Sequence, residues 1–292
     1  MPHVRVFASL LPLIALATLL LACSDSTPAA PAATATSTLT PIPTWTLVPP
    51  TPTGTPPPTA TPLPDLTTGT SIIVGGVVFT RSEPSTQASQ VGSLADLSTV
   101  NVVNRVQGEN WLLGTQTWLS TTPGWATEWF QLADGSYVYG PFVFILGEGE
   151  TSPITPVPDG VEKWIDVDVS EQTARAMVGD EAVYTAAISS GDAQFPTPQG
   201  RFGIEPDGRI AVVRMTASQA GYDERQATYD VERVLFTQYF DQKGNALHLN
   251  YWRPHAVFGN TATSHGCVGM ELHEAQWFWL FGEPGMRVEI HE

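Results

Sequence analysis

The residues best suited to covalent chemistry lie in one short stretch, residues 264–267, which read Ser-His-Gly-Cys. Cys267 and Cys23 are the two cysteines of the chain, and Cys267 has histidines close to it in sequence, among them His248. An unperturbed thiol is only a few per cent ionised at neutral pH, so it needs a base to become a strong nucleophile. An imidazole can take the thiol proton or pair with the thiolate. We therefore interpret Cys267 as a candidate nucleophile.

The backbone beside this cysteine suits the same chemistry. Gly266 allows a tight turn that directs N–H groups toward a developing oxyanion. Several histidines lie within reach in sequence, namely His248, His255, His265 and His273. The sequence does not show which of these imidazoles contacts the sulfur, because that depends on geometry.

Composition limits the classes of protein to consider. The chain has 292 residues and a formal net charge of −16, which disfavours nucleic acid and anionic membrane surfaces as partners. Its 42% hydrophobic content is enough to build a substantial core. Two cysteines in very different surroundings argue against a disulfide framework.

The first 22 residues are interpreted as a signal peptide, with a basic start and an apolar run too short to span a bilayer. The run ends Leu-Leu-Ala-Cys, which resembles the bacterial lipoprotein signal and predicts lipidation of Cys23. An ordinary secretory peptide is the alternative. Residues 23–65 are rich in Pro and Thr and predict a disordered tether. Together these segments predict an extracytoplasmic protein, lipid-anchored to the cell membrane and facing the cell wall.

Residues 66–150 predict a β-rich module. Short apolar, β-branched runs alternate with turn signals and predict strands near 71–74, 77–80, 100–103 and 111–114. The order of these motifs resembles a bacterial SH3-like domain, which implies a small barrel that binds cell wall or peptide. A spacer without a ligand is an equal alternative. Residues 151–160 carry three prolines and predict a linker.

Residues 161–292 predict a second, mainly β domain. Strands are expected near 164–169, 174–177, 183–188, 210–215, 234–240, 246–251 and 286–291. One helix is expected over 271–281, because acidic residues stand at its start and Gly282 and Pro284 follow its end.

The motifs of this domain resemble the L,D-transpeptidase (YkuD-like) catalytic domain. His248 is followed after a loop by Ser-His-Gly-Cys-Val at 264–268, and an earlier segment at 190–202 resembles the family's S-x-G…TP-x-G-x-F pattern. The resemblance implies a β-sandwich with one short helix. It also implies an enzyme that attacks a peptidoglycan stem peptide, releases D-alanine and crosslinks the acyl group to a neighbouring amine. Water as acceptor would give carboxypeptidase activity.

Carried over residue by residue, the resemblance makes Cys267 the nucleophile and His248 the general base. His265 shapes the site, Ser264 supports the loop, and the N–H groups of Gly266 and Cys267 donate to the oxyanion. No cofactor or metal is implied. The expected partners are stem peptides and, through Cys23, the membrane. A monomer is assumed.

Two positions depart from the family's pattern. Leu249 stands where Gly or Ser is frequent, so the group that orients His248 is open. Gly269 stands where Arg or Asn is usual, which puts substrate choice in doubt. The aromatic residues considered for the substrate pocket are Tyr239, Tyr251 and Trp252, with packing as the alternative for the two tyrosines.

Three other interpretations compete. A zinc site could use His265 and Cys267 with His248 or His255, although C-x-x-C and H-E-x-x-H motifs are missing from the sequence. A papain-like peptidase is disfavoured, because such families place the cysteine before the histidine. A non-catalytic wall-binding lipoprotein with a degenerate transpeptidase fold is the remaining alternative, and thiol reactivity would separate it from an enzyme.

Overall fold

The computed structural model describes residues 71–292, apart from residues 117, 120, 121, 221, 224, 226 and 227. The predicted signal peptide, the lipidation residue Cys23 and the Pro/Thr-rich tether lie outside the described residues. Within the described part, no helix combines the length and apolar character needed to cross a membrane.

Short strands build the N-terminal module, which we define as residues 71–146. They are β1 Ser71–Ile73, β2 Val78–Arg81, β3 Gln90–Leu94, β4 Thr99–Val100, β5 Val102–Gln107, β6 Glu128–Leu132, β7 Tyr137–Tyr139 and β8 Val143–Ile145. They form a sheet in the order β3-β2-β7-β6-β5 and a second one in the order β4-β1-β8. Ile73, Phe130 and Val138 are buried in a small core between them. The SH3-like interpretation of this module stays a prediction.

The prediction of a strand at 111–114 is wrong, since these residues form a turn. The Asn110 side chain accepts a hydrogen bond from the Leu113 N–H at 3.2 Å, and the Gly114 N–H donates to the Trp111 carbonyl at 3.3 Å. Leu112 is fully buried within this turn. The apolar run therefore reflects a turn that packs into the core, which a pattern of residue types cannot distinguish from a strand.

The second domain is mainly β, as predicted. Its elements are β9 Lys163–Asp168, β10 Thr173–Val178, β11 Glu181–Ala187, β12 Gly200–Gly203, β13 Arg209–Thr216, β14 Asp230–Tyr239, β15 Ala246–Leu249, β16 Val268–Met270, α1 Leu272–Phe281 and β17 Arg287–His291. One sheet has the order β11-β10-β9-β17-β12 and the other β13-β14-β15-β16. β17 runs parallel to β9, and β15 runs parallel to β16.

The helix α1 confirms the predicted helix and is apolar on nearly every side. Its Trp277, Phe278 and Phe281 are all buried, which is typical of a helix enclosed by other elements. The Lys163 ammonium donates to the Phe281 carbonyl at 2.9 Å, so a cation stands at the negative end of the helix dipole. The helix ends at Phe281, and its next residue, Gly282, donates to the Phe278 carbonyl.

The module and the second domain share a hydrophobic core. Phe144 of β8 packs in the same cluster as Trp277 and Phe278 of α1. The Gln276 side chain donates to the carbonyls of Pro141 at 2.8 Å and Val143 at 3.2 Å. These contacts fasten β8 to the helix, although the sequence alone suggested two domains joined by a linker.

Candidate active site

The parallel pair β15 and β16 brings the two principal candidates together. His248 lies on β15 and its register partner on β16 is Gly269. Cys267 stands two positions before Gly269, and side chains two residues apart along an extended chain point to the same face. His248 and Cys267 accordingly line the same cleft.

His248 is held in one tautomer. Its Nδ1 lies 2.9 Å from the Leu249 carbonyl oxygen, which can only accept, so Nδ1 carries the proton. The side chain is 3% exposed, and burial lowers the pKa of His248 to about 4. The imidazole is therefore neutral at neutral pH, with the Nε2 lone pair available as a base. The orienting group that the sequence left open is a backbone carbonyl, and for this reason Leu249 is compatible with the role.

Cys267 is a half-buried free thiol. Burial raises the pKa of Cys267 to about 11, although hydrogen bonding to the Ala246 backbone lowers it, and the Asp241 carboxylate raises it further. The Sγ lies 3.8 Å from the Gly244 carbonyl oxygen, to which the thiol donates. The resting site thus holds a neutral thiol and a neutral imidazole rather than an ion pair.

Hydrogen bonds of the Ser264 side chain hold the loop before Cys267 in place. The Ser264 hydroxyl donates to the Cys267 carbonyl at 2.6 Å and accepts from the Gly266 N–H at 3.2 Å. Gly266 has a φ of +109°, and a Cβ there would stand 2.3 Å from the Asn245 Oδ1. Only glycine fits this position without strain.

A second segment braces the same loop. Ser189 and Gly269 exchange backbone hydrogen bonds at 2.9 and 3.0 Å, and Gly191 bridges Ser264. The Gly191 N–H donates to the Thr197 hydroxyl at 2.8 Å. The segment that resembled the family's early motif is therefore packed directly against the cysteine loop.

His265 lies among aromatic rings. Its ring lies 4.4 Å from the Phe195 ring centroid and 5.0 Å from that of Tyr229. The Tyr222 hydroxyl donates to the His265 carbonyl at 3.3 Å, and burial lowers the pKa of His265. Phe195, Tyr222 and Tyr229 were missed by sequence reasoning, because no local motif connects them to Cys267.

The two tyrosines considered for the pocket have different positions. Tyr251 is 2% exposed and its hydroxyl donates to the Glu232 carbonyl at 2.6 Å, so its assignment to the pocket is corrected in favour of packing. Tyr239 is half-buried, and its pKa is raised by burial and by the neighbouring Cys267. Tyr239 therefore lies within electrostatic range of the thiol, but it is not among the residues that line the cleft, so its assignment to the pocket is corrected as well.

The cleft above the thiol has a volume of about 830 Å³. Its lining includes Trp252 as predicted, stacked at 5.6 Å on the His248 ring, and also Asn250 and Arg253. The lining further includes Trp118, which belongs to the N-terminal module and which sequence reasoning did not connect to the site.

The other two histidines have different partners. The His255 Nδ1 lies 2.6 Å from the Glu271 carboxylate, and the His273 Nε2 lies 2.8 Å from the Glu150 carboxylate. Neither is among the residues that line the cleft. Across the described part of the chain, no group of three or more His, Cys, Asp or Glu side chains is arranged to hold a metal ion.

Gly269 lies at a position where a side chain would have little space. A Cβ at Gly269 would stand 2.7 Å from the Asn250 Nδ2 and 2.9 Å from its Cβ. Asn250 is buried, and its backbone N–H donates to the Met270 carbonyl at 2.8 Å, so it cannot move aside easily. The Asn250 side chain thus occupies the space that a larger residue at 269 would need.

We expect Gly269→Ala to lower the free energy of unfolding by about 1–3 kcal/mol, because it overpacks this contact. Asn250→Gly together with Gly269→Ala should cost less than the sum of the two single changes, since the clash is then removed. Chemical denaturation measures both values. Gly124→Ala is a matched control, because no atom lies within 4 Å of a Cβ there. Strict additivity of the two changes would contradict the expected coupling.

The Cys267 thiol and the His248 imidazole, whose Nε2 is free to act as a base, both belong to the mainly β domain and line one cleft. Together they define a candidate cysteine–histidine active site. Comparison with known proteins gives the kind of domain that holds this cleft. Residues 162–290 match the family model YkuD, the L,D-transpeptidase catalytic domain. This match supports an L,D-transpeptidase catalytic domain over residues 162–290.

One curated relative and two solved structures illustrate the similarity. The chain is 31% identical over 127 residues to "Putative L,D-transpeptidase YciB" of Bacillus subtilis (strain 168), covering 42% of this chain and 63% of YciB. An L,D-transpeptidase from Mycobacterium smegmatis aligns with a TM-score of 0.42 and 17% identity, covering 76% of this chain and 93% of that one. LdtMt1, solved in complex with imipenem, aligns with a TM-score of 0.42 and 18% identity, covering 56% of this chain and 66% of that one.

Proposed function

We propose that this protein is a cell-wall L,D-transpeptidase that crosslinks peptidoglycan stem peptides through an acyl-enzyme on Cys267. The observation that carries the proposal is the hydrogen bond from His248 Nδ1 to the Leu249 carbonyl at 2.9 Å. It leaves Nε2 as the basic nitrogen in the cleft that Cys267 also lines. The match of residues 162–290 to the L,D-transpeptidase domain supports the substrate class.

In the first half-reaction, the Cys267 Sγ attacks the carbonyl carbon between the third stem residue and the terminal D-alanine. The thiol proton passes to His248 Nε2 as the S–C bond forms. When the tetrahedral intermediate collapses, the C–N bond breaks and His248 returns the proton to the departing amine of D-alanine. The product is a thioester on Cys267.

In the second half-reaction, an amine of a neighbouring stem attacks the thioester carbon and gives its proton to His248. The C–S bond breaks, and the sulfur leaves as a thiol after recovering that proton. Water in place of the amine would release the free stem as a carboxypeptidase product. Since the Gly266 N–H is engaged with the Ser264 hydroxyl, we assign the oxyanion-donor role to the Cys267 N–H.

The location of this reaction is also proposed. A lipid on Cys23 and a Pro/Thr-rich tether would hold the domain outside the membrane, within reach of the wall. Labelling of cells with a lipid precursor, followed by intact mass of the purified chain, tests the anchor. A Cys23→Ala chain that carries the same lipid mass would contradict it.

The experiment that tests the function is intact mass of the purified chain incubated with imipenem and, separately, with a tetrapeptide stem. We expect a stable covalent adduct and released D-alanine, both absent in Cys267→Ala. The alternative, a wall-binding protein that lacks turnover, is favoured if folded wild-type protein gives neither product. Activity that a chelator removes and zinc restores would contradict the metal-independent mechanism.

A further inference from the structure

Trp118 of the N-terminal module contributes to the lining of the candidate active site. This side chain is 52% exposed and lines the cleft that Cys267 and His248 also line. It lies outside residues 162–290, which match the L,D-transpeptidase domain. The cleft is therefore built from two parts of the chain, and the part contributed by the module presents a large aromatic surface to solvent.

The chain is anchored two places before Trp118. Gln116 is buried, and its amide nitrogen donates to the Tyr251 hydroxyl at 2.7 Å. The Gln116 amide oxygen accepts from the Glu232 N–H at 3.0 Å. On the other side of Trp118, Leu119 packs against the shared core. Trp118 thus lies between two residues that contact the rest of the protein.

Further contacts secure the same segment to β14. The Thr115 hydroxyl donates to the Glu232 carboxylate at 2.8 Å. The Arg233 guanidinium lies 4.8 Å from the Trp111 ring centroid and also donates to the Trp111 carbonyl. Such side-chain contacts cost conformational entropy to form and are specific in geometry. They indicate that this edge of the cleft has a defined structure.

The chemistry of the lining identifies a class of ligand. Apart from its aromatic rings, the cleft is lined by apolar side chains and by polar ones, among them the hydroxyl residues Thr216, Ser218 and Thr228 and the side chains of Asp230, Asn250 and Arg253. An exposed indole beside hydroxyl groups suits a pyranose, because the ring C–H groups form an apolar face while the sugar hydroxyls exchange hydrogen bonds. The volume of about 830 Å³ lies in the upper part of the range for small-molecule sites, about 300–1,000 Å³.

We propose that Trp118 forms a subsite for a sugar ring of the substrate, so that the enzyme prefers stem peptides still attached to glycan over free peptides. This inference rests on the proposed function and deepens it, because it specifies the substrate as a glycopeptide. It also gives the N-terminal module a role in recognition at the active site.

The test compares a free tetrapeptide stem with the same stem attached to its N-acetylated disaccharide, using the purified chain. In wild-type protein we expect kcat/KM to be about three- to tenfold higher for the disaccharide form, the range that one aromatic contact supplies. Trp118→Ala should lower kcat/KM for the disaccharide form, through KM, by more than it lowers kcat/KM for the free peptide. Trp118→Tyr should retain part of the advantage of the disaccharide form. Phe79→Ala, an exposed aromatic change elsewhere on the module, is the matched control.

Two outcomes would overturn the subsite. One is equal kcat/KM for the two substrates in wild-type protein, and the other is an equal loss for both in Trp118→Ala. A binding measurement keeps the test independent of turnover: the disaccharide without peptide should bind Cys267→Ala, and binding should weaken when Trp118→Ala is added. Failure of D-alanine release with both substrates, with this sugar binding intact, would count against the proposed function and not against the subsite.

Discussion

His248→Ala is expected to lower the rate of Cys267 acylation by imipenem by about 10²–10⁴-fold, the usual contribution of a general base. The reason is specific to this site. Burial raises the pKa of the thiol to about 11 and lowers that of His248 to about 4, so the sulfur is protonated at rest. Without Nε2 to accept the proton during attack, the nucleophile remains a neutral thiol. Stopped-flow loss of imipenem absorbance measures the rate.

The same two pKa values predict an unusual pH profile. His248 accepts a proton only when neutral, which holds above its pKa of about 4, and Cys267 keeps its proton up to about 11. The acylation rate of wild-type protein should therefore be flat between about pH 5 and pH 9 and should fall as pH drops toward 4. In His248→Ala, the rate should rise steadily with pH, because the thiolate fraction then limits it.

The control is His255→Ala, which removes a partly exposed imidazole paired with Glu271 and should change the rate by less than about twofold. A wild-type profile with an inflection near pH 6.5 would contradict the prediction, because it would show a histidine that titrates with its ordinary pKa and not with one lowered by burial. His248→Gln should not restore the rate, since an amide does not accept the proton.

Phe144→Ala is expected to lower the free energy of unfolding by about 3–5 kcal/mol, the usual cost of removing a buried phenylalanine. Phe144 is 0% exposed and stacks on His273 with ring centroids 5.1 Å apart. It lies in the module, yet it packs in the cluster that contains Trp277 of α1. The loss should therefore destabilise the active-site domain as well, and thermal unfolding should remain a single transition at a lower temperature.

Two measurements on the same samples check this. Near-UV circular dichroism follows the unfolding, and residual imipenem acylation after heating follows the active site, and both should shift together. Phe79→Ala, at a side chain that is 49% exposed, should change stability by less than about 0.5 kcal/mol. If Phe144→Ala produced two transitions, with the acylation-competent part unshifted, the two parts would be independent and the shared core would not couple them.

Much of the second domain is predictable because its signals are local. Alternating runs predict β9, β10 and β13, and the acidic start and Gly282 predict the helix α1. Cys267 and His248 are recognisable because a thiol beside histidines and glycine has few structural uses. Hydrophobic patterns and motif order can be recognised within short stretches of sequence. Residue type and position are then sufficient to predict the element.

The remaining features depend on contacts between distant parts of the chain. The group that orients His248 is a backbone carbonyl, which residue identity at Leu249 does not reveal. Trp118 lines the cleft, and nearby Gln116 bonds to Tyr251, 135 positions away. The turn at 111–114 has the composition of a strand because Leu112 is buried in the core and Trp111 packs against it. Tertiary packing decides such cases, and local propensity does not.

The position of β17 has a consequence for the order in which the protein is made and folds. β17 lies between β9 and β12, so the strand nearest the C-terminus joins the two parts of its sheet. Until residues 287–291 have been synthesised, β12 has no neighbour in this sheet, and the segment that braces the cysteine loop is held at one end only. Such late, long-range pairing slows folding. The brace on the cysteine loop is therefore expected to be completed late in folding, after β17 has paired with β9 and β12.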